Sequence, residues 1–271
     1  MSWWEAALLG LVQGLTEFLP VSSSGHLVLG QYLLGLQEAV LNDVSFEVFV
    51  HFGTVLSIIT VYHRTLHGLV RETWQTLRNP ATIPEAYRAN EAFRTVVYIL
   101  LTMIPTGLVY WMWKDALEAT FGHPRLAAGM LIVTGVLLLL TRFRPHPTGD
   151  LTPVKSLIIG VAQALAMIPG ISRSGATICT AIYQNVEREK AAHFSFLMLL
   201  PVVLGATVLK ALDMVTHESA VGWIPLLIGT LVAYLSGVWA IRVVLRFVKQ
   251  GRLQYFAYYC FIIGILGLLL I

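Results

Sequence analysis

The stretch "LPVSSSGHLVL" (residues 19–29) interrupts an apolar sequence with a proline, three consecutive serines, a glycine and a histidine. A second stretch, "MIPGISRSGATI" (residues 167–178), has the same character and adds an arginine. A proline frees backbone groups that lipid cannot satisfy, and unwound backbone at membrane depth is tolerated only against protein or water. The two stretches therefore predict broken helices that gather polar side chains inside a membrane protein.

The composition of the chain is that of a polytopic helical membrane protein. Of its 271 residues, 56% are hydrophobic and 12% are charged, which is about half the charged fraction of a soluble domain. We expect membrane lipids around the protein and no nucleic-acid partner. Several runs approach the ~20 apolar residues that cross a bilayer. These runs are residues 95–113, 127–140 with their flanks, 194–209, 222–241 and 255–271.

The basic residues predict the orientation of the chain. Most of them fall in four regions that the positive-inside rule assigns to the cytoplasm. Residues 1–40 must then start and finish outside, whereas residues 156–182 must start and finish inside, and both chain termini are external. Each of these two segments is predicted to be a re-entrant hairpin, with a pair of short complete spans as the alternative. The four basic regions are residues 64–94, 142–155, 188–190 and 242–252.

The two hairpins also share sequence. Residues 8–25, "LLGLVQGLTEFLPVSSSG", and residues 158–175, "IIGVAQALAMIPGISRSG", have six identities at an offset of 150. Similar hairpins that enter from opposite faces indicate an inverted-topology repeat, whose broken helices meet near the midplane. We therefore predict an all-α polytopic protein with one integral membrane domain, residues 1–271. Its first repeat covers about residues 1–141 and its second about residues 151–271.

The polar residues at the breaks predict a phosphate site. Ser22, Ser23, Ser24, Ser172 and Ser174 are good N-cap residues, and the half-helix that follows each cap presents free N–H groups to an anion. Arg173 costs about 2.5 kcal/mol or more at membrane depth, so it needs a partner. Its planar guanidinium suits a phosphate. We expect Ser22, Ser24, Ser172 and Ser174 to lie around the bound phosphate.

Four residue types in the same region suit phosphoryl transfer. Gln13 and Glu17 are four residues apart and share a helical face, and His26 follows Ser23 by three residues. With Arg173, they combine a carboxylate, a hydroxyl, an imidazole and a guanidinium.

Structural roles are the alternatives for several of these residues. Glu17 could serve only as the ion-pair partner of Arg173, and His26 could only bridge helices. For Ser22 and Ser174, a hydrogen bond to a preceding carbonyl or a helix cap is favoured over catalysis. His51 could line the same cavity, although the membrane interface is favoured.

The segments "QGLTEFLPVSSSGH" (residues 13–26) and "PGISRSGAT" (residues 169–177) resemble the undecaprenyl-diphosphate phosphatase family of the BacA/UppP type. The resemblance extends over essentially the whole chain. It implies an enzyme of the bacterial inner membrane that removes the terminal phosphate of undecaprenyl diphosphate. The product is the monophosphate lipid carrier for peptidoglycan synthesis. Loss of the pyrophosphate target explains the family's link with bacitracin resistance. The resemblance also implies interlocked inverted repeats with re-entrant helices.

The same resemblance implies roles for individual residues. Ser23 occupies the position of the proposed nucleophile, His26 that of the motif histidine, and Glu17 that of the motif glutamate. Gln13 fills a position where the family has an acid or an amide. The variant with two acids is therefore absent, which disfavours a two-carboxylate metal site. Magnesium or calcium near Glu17 is implied as a cofactor. The phosphate-binding positions of the second motif are matched by Ser172, Arg173, Ser174 and Thr177.

We therefore expect Ser23 to attack the terminal phosphorus of a prenyl diphosphate, with Glu17 or His26 as the base. In a variant of this mechanism, water activated by the metal replaces Ser23. The rival class is a transporter or flippase for the phosphorylated prenyl lipid, since inverted repeats are also transporter architecture. A structural membrane subunit is disfavoured by Arg173. Homo-oligomerisation stays open.

Overall fold

The computed structural model describes residues 1–33, 44–214 and 221–271, and this part of the chain is helical and contains no strand. The helices up to residue 140 are α1 (Trp3–Phe18), α2 (Ser23–Leu33), α3 (Val44–Arg78), α4 (Ile83–Ala89), α5 (Glu91–Thr120) and α6 (Pro124–Leu140). The helices after residue 150 are α7 (Pro153–Leu165), α8 (Arg173–Tyr183), α9 (Arg188–Met214), α10 (Trp223–Lys249) and α11 (Gln254–Leu270).

Within the described ranges, four helices, α3, α5, α6 and α10, are long and apolar enough to cross a membrane. The shorter α11 is also apolar. The prediction of an all-α, multi-pass membrane protein is therefore confirmed. The charged segment 71–94 forms the end of α3, a 3-10 turn at Pro80–Thr82, the short helix α4 and the start of α5.

Both predicted helix breaks are present. α1 ends at Phe18, two residues before Pro20, which has no N–H to continue the helical hydrogen bonding. α2 then begins at Ser23. In the second hairpin α7 ends at Leu165, and α8 begins at Arg173. Each hairpin therefore consists of two short helices joined by a tight, non-helical segment.

Helices of similar length follow one another in the same order in both halves. α1 and α7 have 16 and 13 residues, α2 and α8 have 11 each, and α6 and α11 have 17 each. α1 packs on α10 of the other half, whereas α7 packs on α5. Gly10 and Gly160 allow these approaches, because an added Cβ would lie 3.0 Å from Gly229 Cα and 2.8 Å from Thr102 Cα. The two predicted repeats and their opposed insertion into a membrane stay predictions.

The two breaks lie against each other. A Cβ added at Gly25 would stand 3.0 Å from Gly170 Cα, and one added at Gly175 would stand 3.4 Å from Pro20 Cβ. Ser174 Oγ also donates a hydrogen bond to the Leu19 carbonyl, at 3.2 Å. The hairpins, which are about 150 residues apart in sequence, thus form one junction.

We expect Gly170→Ala to destabilise this junction by about 2 kcal/mol or more. Gly170 has φ +96°, a backbone conformation that costs an L-residue about 1–2 kcal/mol. An added Cβ would also lie 2.6 Å from Met130 Cβ. Thermal unfolding in detergent should show the loss. Gly107→Ala is the matched control, because its added Cβ meets no atom within 4 Å; equal unfolding temperatures for the two variants would contradict the packing.

Candidate functional site

The centre of the junction is the carboxylate of Glu17, which is only 4% exposed. Its Oε2 accepts a hydrogen bond from Ser23 Oγ at 2.6 Å and another from Gln13 Nε2 at 2.9 Å. Its Oε1 forms an ion pair with the Arg173 guanidinium. Three of the four residues predicted to do chemistry, Glu17, Ser23 and Arg173, are therefore in direct contact.

Arg173 is the first residue of α8, and it reaches across the junction from the second hairpin to the first. Its side chain is 21% exposed, compared with 2% for that of Glu17. The guanidinium has five N–H donors, so it can contact a phosphate on its open side while it remains near the carboxylate. The partner that Arg173 requires at this depth is Glu17.

Two of the serines cap the broken helices. Ser22 Oγ accepts a hydrogen bond from the Gly25 N–H at 3.3 Å, and Ser172 Oγ accepts one from the Gly175 N–H at 3.0 Å. Each cap satisfies one of the free N–H groups of its helix end and fixes the direction in which the others point. The structure thus shows capping by Ser22 and Ser172, whereas Ser174 bonds a carbonyl instead. Both helix starts lie at the junction, where an anion would be stabilised.

The remaining predicted serines contact these caps. Ser24 Oγ lies 3.3 Å from Ser22 Oγ, and Ser174 Oγ lies 3.2 Å from Ser172 Oγ. Ser22 and Ser172 are buried and serve the backbone, whereas Ser23 is half-buried and points to Glu17. The structure thus distinguishes Ser23 from its neighbours.

Buried hydroxyls support the second break. Thr177 Oγ1 lies 2.6 Å from Ser195 Oγ and bonds the carbonyl four residues earlier in its helix. Thr134 Oγ1 accepts a hydrogen bond from the Ser172 N–H and donates one to the Gly170 carbonyl, both at 2.9 Å. Sequence analysis missed Thr134 and Ser195, because a single hydroxyl in an apolar run gives no signal of what it contacts.

His26 is directed away from Ser23. Its Nδ1 lies 2.8 Å from the Ser22 carbonyl oxygen, and its Nε2 lies 2.9 Å from Tyr259 Oη. The spacing of three residues suggested a contact with Ser23. The ring instead bonds back to the carbonyl of its own helix start, and Glu17 takes the Ser23 hydroxyl.

His51 lies on α3 and is half-buried. Its Nδ1 bonds the Glu47 carbonyl at 2.8 Å. The favoured place of His51 at the membrane interface stays a prediction.

The oxygen atoms at Glu17 and Gln13 are suitable ligands for a hard divalent cation. The Gln13 side chain is buried, and its Oε1 has no hydrogen-bond partner within the described residues. Together with the Glu17 carboxylate, it offers oxygen ligands of the kind that magnesium and calcium prefer. No group of three His, Cys, Asp or Glu side chains suited to a metal occurs in the described parts of the chain. Such an ion would depend on the phosphate oxygens of a substrate for much of its coordination.

Comparison with known proteins gives one consistent result. The bacitracin resistance protein BacA family matches residues 6–266. An undecaprenyl-diphosphatase of Salinibacter ruber is 61% identical over 271 residues, which is the full length of both chains. An undecaprenyl-diphosphatase of Bacteroides fragilis is 38% identical over 98% of this chain and 97% of its own. One of Halothermothrix orenii is 37% identical over 100% of this chain and 98% of its own.

Proposed function

Because the chain belongs to the bacitracin resistance protein BacA family, we propose that it hydrolyses undecaprenyl diphosphate to undecaprenyl monophosphate and inorganic phosphate. The observation that carries this proposal is the contact of Ser23 Oγ with Glu17 Oε2 at 2.6 Å, next to the ion pair with Arg173. Hydroxyl, carboxylate and guanidinium are the groups that transfer of a phosphoryl group to a serine requires.

In the first step, Ser23 Oγ attacks the terminal phosphorus while its proton moves to Glu17 Oε2. The bond from that phosphorus to the bridging oxygen breaks, and the lipid monophosphate leaves with the bridging oxygen and its electron pair. In the second step, water attacks the phosphoserine, and the Ser23 oxygen regains the proton that Glu17 stored. The water loses a proton to solvent, and inorganic phosphate leaves.

Arg173 connects substrate binding with the first step. In the free protein, its guanidinium neutralises Glu17. An arriving diphosphate competes with Glu17 for this cation, because a planar guanidinium also binds phosphate through two parallel hydrogen bonds. A carboxylate released from its counter-ion can accept the Ser23 proton, so the base is freed when the substrate is in place. The N-termini of α2 and α8 then stabilise the remaining phosphate charge.

Magnesium or calcium is part of the proposal. Gln13 and Glu17 would hold the ion beside the diphosphate, and it would supply charge neutralisation of the phosphate oxygens. We expect EDTA to lower phosphate release from prenyl diphosphate, and excess magnesium to restore it. Activity that is unchanged after EDTA treatment and exhaustive dialysis would contradict a need for the ion.

The same proposal predicts where in the cell the protein works. The substrate is a prenyl diphosphate dissolved in the bilayer, so the protein works in the bacterial inner membrane among membrane lipids. The distribution of basic residues supports external positions for both termini. Labelling of single cysteines introduced near residues 2 and 271, in a variant without Cys179 and Cys260, would test this orientation in intact cells.

The direct test is phosphate release from C15 or C55 prenyl diphosphate by the purified protein, with Glu17→Ala, Ser23→Ala and Arg173→Ala beside it. We expect the wild type to release phosphate and all three variants to lose this activity. The circular dichroism spectrum of each variant should match that of the wild type, which shows that the variant is folded. If the folded wild type releases no phosphate with magnesium present, the alternative function, transport of the phosphorylated prenyl lipid, is favoured. Movement of a labelled prenyl phosphate across vesicles would then be measured.

A further inference from the structure

His26 has a defined tautomer and a defined orientation. A carbonyl oxygen only accepts, so the hydrogen in the 2.8 Å contact with Ser22 is on Nδ1. The Nε2 of the neutral ring therefore carries the lone pair, and it accepts the Tyr259 O–H at 2.9 Å. The two rings are nearly parallel, with an angle of 8° and centroids 5.5 Å apart. The imidazole is thus held at both nitrogens.

The Ser22 carbonyl is an unusual acceptor because of its backbone. Ser22 has φ +69°, in the left-handed region that serine seldom occupies. Its carbonyl also accepts the backbone N–H of His26, at 3.2 Å. Ser23 follows directly, and its Oγ donates a hydrogen bond to Glu17 Oε2 at 2.6 Å. The backbone N–H and the side chain of His26 both bond the Ser22 carbonyl.

Tyr259 is itself held in place by the packing of the last helix. α11 lies along α6, where an added Cβ at Gly264 would come within 2.7 Å of Ile132 and one at Gly267 within 2.9 Å of Ala128. The next residue, Cys260, is buried, and its Sγ lies 3.8 Å from the Pro20 carbonyl oxygen at the first break. Two adjacent residues of α11 therefore contact the first hairpin on either side of Ser23, Cys260 at Pro20 and Tyr259 at His26.

We propose that Tyr259 is a positioning residue of the catalytic site, which acts on Ser23 through His26 and the Ser22 carbonyl. The phenol donates to the imidazole, the imidazole donates to the carbonyl, and the carbonyl belongs to the residue that sets the direction of the nucleophile. The inference rests on the proposed phosphatase function. It assigns a task to the last helix, 233 residues away from His26 in sequence.

The test is Tyr259→Phe, which keeps the ring and removes the hydroxyl. Tyr258→Phe is the matched control, because the adjacent Tyr258 is 47% exposed. For phosphate release from C15 prenyl diphosphate we expect kcat to fall about tenfold in Tyr259→Phe, as the loss of one hydrogen bond of ordinary strength would produce. KM should change less than about twofold, and Tyr258→Phe should match the wild type. A wild-type kcat in Tyr259→Phe would overturn the proposal.

A second experiment distinguishes a positioning role of Tyr259 from a role in packing alone. If Tyr259 acts through His26, adding Tyr259→Phe to His26→Ala should lower kcat no further. An equal loss in both backgrounds would overturn the proposal. Nitrogen-15 spectra of labelled histidine in the wild-type protein should show His26 as the Nδ1–H tautomer, and its Nε2 signal should shift in Tyr259→Phe.

The nitrogen-15 spectra also make two other outcomes informative. A wild-type His26 that carries its hydrogen on Nε2 would contradict the geometry even if the variants failed to fold. A wild type that releases no phosphate but gives the expected spectra would reject the phosphatase function and leave the contact between Tyr259 and His26 standing.

Discussion

Glu17→Gln is expected to lower the rate of phosphate release by about 10³-fold, the range that a general base contributes. Glutamine has the shape of glutamate and can still contact Ser23 and Gln13, but its amide cannot take the Ser23 proton. The defect should therefore appear in kcat, with little change in KM. Steady-state kinetics on C15 prenyl diphosphate would measure it.

Glu118→Gln is the matched control for this prediction. Glu118 also pairs with a basic residue, Lys114, but its side chain is 60% exposed and lies on α5 away from the junction. We expect its kinetics to equal those of the wild type. If Glu17→Gln kept more than about a tenth of the activity, Glu17 would not be the base.

Arg173→Met should have a second large effect, on both activity and stability. The loss of the guanidinium removes the charge that stabilises the transferred phosphoryl group, and arginines in this role are worth about 10³–10⁵-fold in rate. It also leaves the Glu17 carboxylate, whose side chain is 2% exposed, without its cation. Breaking a buried ion pair in this way costs about 3–5 kcal/mol. Phosphate release and thermal unfolding in detergent would measure the two effects.

The double variant Glu17→Gln with Arg173→Met separates a catalytic pair from a purely structural one. It has no unpaired charge, so its unfolding temperature should return most of the way to that of the wild type. Its activity should stay absent. If the double variant were active, the ion pair would be structural, and the chemistry would have to lie elsewhere. Arg125→Met, a change at an exposed arginine on α6, should leave both measurements unchanged.

The sequence was sufficient to predict features that depend on local rules. Pro20 and Pro169 predicted the breaks because proline lacks an N–H, and the serines that follow predicted the caps. The spacing of four residues between Gln13 and Glu17 predicted their contact, which is 2.9 Å long. The cost of a charge at depth predicted that Arg173 has a partner.

Contacts between distant segments could not be predicted in the same way. Tyr259 lies in a helix whose sequence is that of an ordinary apolar span, and nothing in its neighbours indicates that its hydroxyl meets His26. The approach of Gly25 to Gly170 depends on how two hairpins cross, which the sequence of either hairpin leaves undetermined. His26 could bond to Ser23 or to the Ser22 carbonyl, and the choice involves Glu17, which takes the Ser23 hydroxyl, and Tyr259 of the last helix.

The central claim is that Ser23 is the nucleophile of a phosphatase site shared by both hairpins. The most direct test is acid quench during turnover of prenyl diphosphate labelled in its terminal phosphate, followed by peptide mapping. We predict that the peptide containing Ser23 carries the label as an acid-stable phosphoserine, and that no label is found in the Ser23→Ala variant. The control Ser236→Ala, a serine on α10 that bonds the Val232 carbonyl at 2.6 Å, should label as the wild type does. An active wild type that never carries the label would contradict the account, and would favour direct attack by water.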